Sequence, residues 1–129
     1  MSATASKSIR LAVIGAGVMG KRHIAAAKRI GAPIAAVVDA DAAQAKAGAE
    51  MAGCPVFADS ASLIGNIDAA VIAVPTAAHV PIAAPLLTAG IGCLVEKPLA
   101  ATEAECRELI AAATEGRAVL QVGHIERFN

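Results

Sequence analysis

Aromatic residues are almost missing from this chain of 129 residues, which has two phenylalanines, Phe57 and Phe128, and neither tryptophan nor tyrosine. An excess of charge is missing too, because 11 Lys and Arg residues balance 11 Asp and Glu residues. Proteins that bind nucleic acid normally present a basic surface with stacking aromatic side chains. We therefore set nucleic-acid binding aside. The length predicts one domain, and the hydrophobic content of 57% is too high for a disordered chain.

Cysteine is also scarce. Cys54, Cys93 and Cys106 form no Cys-x-x-Cys pair, and Cys54 and Cys93 lie among apolar residues. Isolated thiols of this kind are typical of a reducing compartment, and their spacing does not suit a zinc site. We therefore expect a cytoplasmic protein with free cysteines and no bound metal.

Uninterrupted hydrophobic segments are absent as well. Residues 69–95 carry no formal charge and are numerous enough to cross a bilayer, but three prolines, two glycines and His79 interrupt them. A buried strand, helix and strand explain this segment better than a membrane span. The basic and apolar residues near the N-terminus resemble a secretory signal, yet residues 21–23 are basic where a small-residue cleavage site would begin. We expect neither a membrane protein nor a secreted one.

Short apolar runs alternate with helical patterns along the chain. Six runs are candidate strands: 9–14, 34–38, 56–57, 69–74, 93–95 and 119–122. They are continuously apolar, which is typical of strands covered on both faces of a parallel sheet. A first helix is predicted over 18–30, and others begin near Asp41 and Thr102, each followed three residues later by a capping-box partner. This alternation predicts an α/β fold with a doubly wound parallel sheet. A helix between the fourth and fifth predicted strands contains Pro81 and Pro85, and Pro85 should cost it a backbone hydrogen bond in its interior.

A glycine-rich segment, Gly15-Ala16-Gly17-Val18-Met19-Gly20, lies directly between the first predicted strand and the first predicted helix. In this pattern Gly15 permits a tight turn, Gly17 lets the backbone approach a pyrophosphate, and Gly20 allows close packing of helix on strand. The helix N-terminus offers unpaired amides and a positive dipole end to the phosphates. The segment therefore predicts a dinucleotide site in a Rossmann fold.

Asp39 ends the second predicted strand, where its carboxylate can accept hydrogen bonds from both ribose hydroxyls. Asp39 could instead cap a helix or stabilise a turn, although Asp41 is available for that role. No Lys or Arg lies between Asp39 and Lys46 to neutralise a 2′-phosphate. NAD is therefore favoured over NADP.

A second polar cluster, Val95-Glu96-Lys97-Pro98, follows the fifth predicted strand. Ligands of such sheets bind at the carboxyl ends of the strands, and this cluster shares that edge with the glycine-rich segment. A lysine there can hydrogen-bond a substrate hydroxyl and take up its proton. The alternative is a solvated Glu-Lys turn.

Together these segments resemble the N-terminal half of the Gfo/Idh/MocA family of nicotinamide-dependent sugar and cyclitol oxidoreductases. The matching segments are GAGVMG (15–20), VVDAD (37–41), AVPTAAH (73–79), VEKPLA (95–100) and VGHIERFN (122–129). The last is similar to members that act on nucleotide-linked N-acetylhexosamines, such as UDP-N-acetylglucosamine 3-dehydrogenases. The resemblance implies that Lys97 is the catalytic residue, that Thr76 and His79 lie along the cofactor, and that Glu96 lies beside the nicotinamide. The predicted cofactor-binding residues are Gly15, Gly17, Val18, Met19, Gly20, Asp39, Val74, Pro75, Thr76, His79, Glu96, Lys97 and Pro98.

The resemblance also implies an enzyme that transfers hydride between a sugar or nucleotide-sugar carbon and nicotinamide. Family members continue into a second domain that binds the sugar and usually forms the oligomer interface. We expect residues 1–129 to be one dinucleotide-binding domain, a fragment without that second domain, that self-associates as a homo-oligomer and is inactive alone. A stand-alone NAD-sensing or interaction module remains the alternative. A methyltransferase is disfavoured by Gly20 and by the Glu-Lys-Pro sequence.

The remaining polar residues have less definite roles. His23 faces away from the apolar stripe of its helix, which predicts a solvated side chain. His124, Glu126 and Arg127 follow the last predicted strand at the ligand edge. Arg127 could hold a substrate phosphate or carboxylate, or pair with Glu126 on the surface.

Overall fold

The computed structural model describes residues 9–123, which form a five-stranded parallel sheet with helices on both faces. The strands lie in the order β2-β1-β3-β4-β5 and are β1 (Leu11–Ile14), β2 (Ile34–Val38), β3 (Ala69–Ile72), β4 (Gly92–Glu96) and β5 (Leu120–Gly123). The α-helices are α1 (Val18–Arg29), α2 (Ala42–Ala52), α3 (His79–Thr88) and α4 (Glu103–Gly116), with short 3-10 turns at Ala61–Leu63 and Thr76–Ala78. The predicted α/β fold with a doubly wound sheet is confirmed.

Apolar side chains on alternate positions of β1 enter two different cores. Ala12 packs in a cluster with Leu86 of α3 and Leu109 of α4, whereas Val13 packs in a second cluster with Ile24 of α1. All five side chains are at most 1% exposed. Since both faces of β1 are covered, its sequence has to be apolar at consecutive positions.

The segment 56–57 is not a strand, contrary to the prediction from its apolar sequence. Val56 forms a single parallel bridge with Val37 of β2, and the amide of Phe57 donates to the Val37 carbonyl at 2.9 Å. Pro55 precedes the bridge and has no N–H to donate, and bends follow it at 58–60. The pairing therefore cannot extend in either direction.

The predicted helix starts are confirmed at both caps. The Asp41 carboxylate accepts from the amides of Ala43 and Gln44 at 2.9 and 3.1 Å, and Thr102 Oγ1 accepts from the Glu105 amide at 3.1 Å. These side chains satisfy amides that have no partner inside the first turn of a helix.

The helix with two prolines forms as α3. Pro81 lies in the first turn, where no intrahelical bond from its nitrogen is required, and Pro85 lies inside the helix. α3 packs tightly against α4, since a Cβ on Gly116 would lie 1.8 Å from the Leu87 carbonyl oxygen. The uncharged segment 69–95 thus becomes β3, α3 and most of β4, and within residues 9–123 no helix is long and apolar enough to span a bilayer.

All three cysteines are free thiols. Cys93 is buried in β4, and burial raises the pKa of its thiol to about 12. Cys54 and Cys106 are half-buried, and burial also raises the pKa of Cys54. A thiol held in its protonated form is a poor nucleophile, so Cys93 acts as a packing residue.

Candidate functional site

The carboxyl ends of the parallel strands bring the motifs together at one edge of the sheet. Gly15 follows β1, Asp39 follows β2, and Lys97 follows β4. β1 and β3 are neighbours, but α1 after β1 and α3 after β3 pack on opposite faces of the sheet. The point where the crossovers diverge in this way leaves a crevice outside the strand ends, where ligands of such folds bind.

The glycine-rich turn is closely packed at its first and last glycines. Gly15 adopts a positive φ of 96°, and a Cβ there would lie 2.3 Å from the carbonyl oxygen of Ala73. A Cβ on Gly20 would lie 1.7 Å from the Gly15 carbonyl oxygen. Both contacts are with backbone, which cannot swing aside. Neither position can therefore accept a side chain without displacing the turn.

The N-terminus of α1 is open to an anion. Its N-cap is Gly17, whose position has no side-chain capping bond, and the first turn contains no acidic residue. A Cβ on Gly17 would meet only the end of the Gln44 side chain, at 3.5 Å. The first amides of a helix carry partial positive charge and need acceptors. The local chemistry fits a pyrophosphate lying against this turn.

Asp39 connects β2 to the glycine-rich turn. Its Oδ2 accepts from the amide of Ala16 at 2.7 Å, and its Oδ1 accepts from the amide of Asp41 at 2.8 Å. Each carboxylate oxygen has a second lone pair, so these bonds leave capacity for hydroxyl donors. Asp39 therefore also stabilises the turn, which is the alternative role that the sequence left open for it.

Two adjoining cavities follow this edge and share Ala73, Val74 and Pro75 as a common wall. The first has a volume of about 510 Å³ and is lined by Gly15, Gly17 and Asp39 among others. The second has a volume of about 370 Å³, and its other lining residues are Met19, Thr76, His79, Glu96 and Lys97. The cavities therefore unite both motif groups in one cleft.

Some residues that line the first cavity were not among the predicted site residues. These are Gln44, Ala58, Asp59, Ser60 and Ile82. The bridge between Val37 and Val56 brings 58–60 alongside the end of β2. A prediction that 56–57 pairs with the second strand would have placed 58–60 beside this cavity.

His23 is not solvated, which corrects the prediction from its helix face. Its Nε2 hydrogen-bonds Glu96 Oε2, and the two side chains are 10% and 12% exposed. α1 packs against both β1 and β3, and this places the side of α1 that carries His23 at the end of β4, the strand next to β3. His23 therefore lies beside the Glu-Lys-Pro segment.

His79 is 1% exposed, and both its ring nitrogens face backbone carbonyl oxygens. Nδ1 lies 2.9 Å from the Leu99 oxygen, and Nε2 lies 3.0 Å from the Val74 oxygen. Lys97 and Pro98 are exposed and are joined by a cis peptide bond. They lie between Glu96, which bonds His23, and Leu99, which bonds His79. His124, Glu126 and Arg127 lie outside the described residues.

Comparison with known proteins gives a consistent family match. Residues 9–124 match the GFO_IDH_MocA model, described as an oxidoreductase family with an NAD-binding Rossmann fold. Over 129 aligned residues the chain is 40% identical to inositol 2-dehydrogenase 1 of Saccharopolyspora erythraea. The alignment covers 95% of this chain and 38% of that protein. The chain therefore spans about two fifths of the length of the curated relatives that it matches.

Solved structures give the same result. UDP-N-acetylglucosamine 3-dehydrogenase GnnA from Acidithiobacillus ferrooxidans superposes with a TM-score of 0.86 at 34% identity, covering 95% of this chain and 40% of that one. GenD2 from gentamicin A biosynthesis, solved in complex with NAD, superposes with a TM-score of 0.83 at 33% identity, covering 92% and 36%.

Proposed function

Because the chain belongs to the Gfo/Idh/MocA oxidoreductase family as its NAD-binding Rossmann domain, we propose that it is the cofactor-binding part of a dehydrogenase acting on a sugar, cyclitol or nucleotide-sugar alcohol. The observation that carries the proposal is the cleft that joins the glycine-rich turn and Asp39 to Lys97. In this proposal the first cavity takes the adenosine end of NAD, and the second takes the nicotinamide end.

The proposed cofactor contacts follow from this orientation. The open N-terminus of α1 holds the pyrophosphate, and Asp39 accepts the ribose hydroxyls of the adenosine. Val74, Pro75 and Thr76 form the wall between the two ends. The proposed preference is for NAD, since the Asp39 carboxylate would repel a 2′-phosphate and the next Lys or Arg is Lys46.

Lys97 is the residue proposed to act on the substrate. Bound nicotinamide supplies a hydride acceptor or donor at its C4. Lys97 stands exposed at the rim of the second cavity, where its amine can hold the substrate hydroxyl and take up or return the hydroxyl proton. Glu96 is tied to His23, which supports a positioning role for this carboxylate rather than proton transfer.

We propose a cytoplasmic location and an interface with another domain or a second copy. Three free thiols support a reducing compartment such as the cytoplasm.

Two large apolar side chains are exposed: Ile110 at 54% and Val119 at 68%. Their exposure supports burial of this apolar surface against another domain or a second copy.

We expect the purified chain to bind NADH but to oxidise no sugar by itself. Holding a sugar carbon close to nicotinamide C4 supplies about 7–11 kcal/mol of barrier lowering, and that requires a substrate pocket beyond this cleft. The test is to add NAD with myo-inositol, free hexoses or UDP-linked hexoses and to follow the absorbance of reduced nicotinamide, while NADH fluorescence reports binding. Failure to bind NADH would contradict the proposed function, and sustained substrate-dependent reduction would show that the chain alone is a complete enzyme.

Lys97→Ala should leave NAD affinity nearly unchanged, because the pyrophosphate and the adenosine ribose are held by other residues. In a full-length protein that carries this domain, the same change should lower kcat by about 10² or more, the usual contribution of an acid-base group. Lys46→Ala, an exposed lysine on α2, is the matched control and should change neither quantity. Near-normal turnover of the Lys97 variant would remove this residue from the mechanism.

A further inference from the structure

The two walls of the second cavity are each held by a histidine from a flanking helix. One wall is the turn after β3, which contains Val74; the other lines the cavity with Glu96, the last residue of β4, and with Lys97, and its segment continues to Leu99. Residues 97–99 of that second wall form a bend outside regular secondary structure. The position of this wall therefore depends on contacts from other elements.

His23 of α1 fixes the beginning of the second wall. Its Nε2 bonds the Glu96 carboxylate, which is also confined on the side of β5, since a Cβ on Gly123 would lie 3.5 Å from Glu96 Oε2. The two side chains are nearly buried at 10% and 12% exposure. Hydrogen bonds that involve a charged group are stronger than neutral ones and gain further when shielded from water.

His79 at the start of α3 connects the two walls to each other. Its ring lies between the Leu99 oxygen at 2.9 Å and the Val74 oxygen at 3.0 Å and is 1% exposed. Both partners are acceptors, so a doubly protonated ring donates to both and a neutral ring donates to one. His79 also lines the cavity, but both its ring nitrogens are engaged with the walls, so its polar atoms hold backbone rather than a ligand.

We propose that His23 and His79 are positioning residues that set the distance and orientation of the two walls of the nicotinamide cavity. The inference rests on the proposed function, which places the nicotinamide end of NAD in this cavity. It predicts that removing either histidine impairs binding of the nicotinamide end and spares the adenosine end, which contacts the glycine-rich turn and Asp39 instead.

The experiment compares NAD with ADP-ribose, which has the same adenosine and pyrophosphate but no nicotinamide, by calorimetry on the 129-residue chain. His23→Leu and His79→Leu should weaken NAD by about three- to tenfold, the effect of losing one hydrogen bond, and leave ADP-ribose within about twofold. A general loss of structure would instead weaken both ligands in parallel. Parallel loss, or no loss for either ligand, would overturn the inference.

Conservative variants keep the test decisive if a leucine variant does not fold. His23→Gln retains a donor to Glu96 and should recover most of the NAD affinity. His79→Asn retains a donor near Nδ1 for Leu99, and His79→Gln retains one near Nε2 for Val74. The two His79 variants should each bind NAD more weakly than the wild type does and bind ADP-ribose equally well. Wild-type NAD affinity in both His79 variants would contradict a bridging role for His79.

The wild-type chain separates this inference from the proposed function. If it binds both NAD and ADP-ribose, the variants test the histidines alone. If it binds neither ligand, the proposed function fails, and the inference fails with it.

Discussion

Gly20→Ala should abolish measurable NAD binding and lower the free energy of unfolding by about 1–3 kcal/mol or more, because the added Cβ has no space. It would lie 1.7 Å from the Gly15 carbonyl oxygen, and that oxygen belongs to the tight turn itself. The clash is relieved only if α1 moves away from the end of β1. This movement opens the turn that faces the phosphates. Calorimetric NAD titration and urea denaturation measure the two effects.

Gly31→Ala is the matched control for this glycine change. Gly31 lies just beyond α1 with a φ of 76°, and a Cβ there would meet nothing within 4 Å. The change should destabilise the chain through backbone strain alone and leave NAD affinity intact. A Gly20→Ala chain that binds NAD like the wild type would contradict the role assigned to the turn.

Asp39→Ala should weaken NAD by about tenfold or more, because Asp39 serves both the ligand and the turn. The change removes carboxylate bonds to the amides of Ala16 and Asp41, each worth about 1.5–3 kcal/mol. It also removes the proposed acceptors of the ribose hydroxyls. Calorimetry measures the affinity, and urea denaturation measures the accompanying loss of stability.

Asp41→Ala controls for the loss of a carboxylate in the same loop. Asp41 caps α2, so its removal should cost about 0.5–2 kcal/mol of stability, with little effect on NAD. Equal losses of NAD affinity in the two variants would mean that the effect of Asp39 is only structural.

The sheet and the position of the cleft could be predicted from the sequence because their signals are local. Consecutive apolar residues indicate strands covered on both faces, and the spacing of Gly15, Gly17 and Gly20 after one of them places the glycine-rich turn. Because the strands are parallel, their carboxyl ends lie at one edge of the sheet, and this edge is the expected position of the cleft. The capping residues Asp41 and Thr102 are equally local and were found at the predicted helix starts.

The contacts that could not be predicted join residues far apart in the chain. The periodicity of α1 predicts a solvated His23, but His23 bonds Glu96, which is 73 positions away in the chain. The bridge at Val56 depends on a single pairing with Val37, which a two-residue apolar run cannot distinguish from a strand. The periodicity of one element reports its own buried face and does not show which neighbour covers the other face.

The decisive measurement is titration of the 129-residue chain with NAD and with NADP under identical conditions. NAD should bind, and NADP should bind at least about tenfold more weakly, because Asp39 meets the 2′-phosphate and no Lys or Arg lies between Asp39 and Lys46 to neutralise it. Equal affinities for the two cofactors, or no binding of NAD, would contradict this expectation.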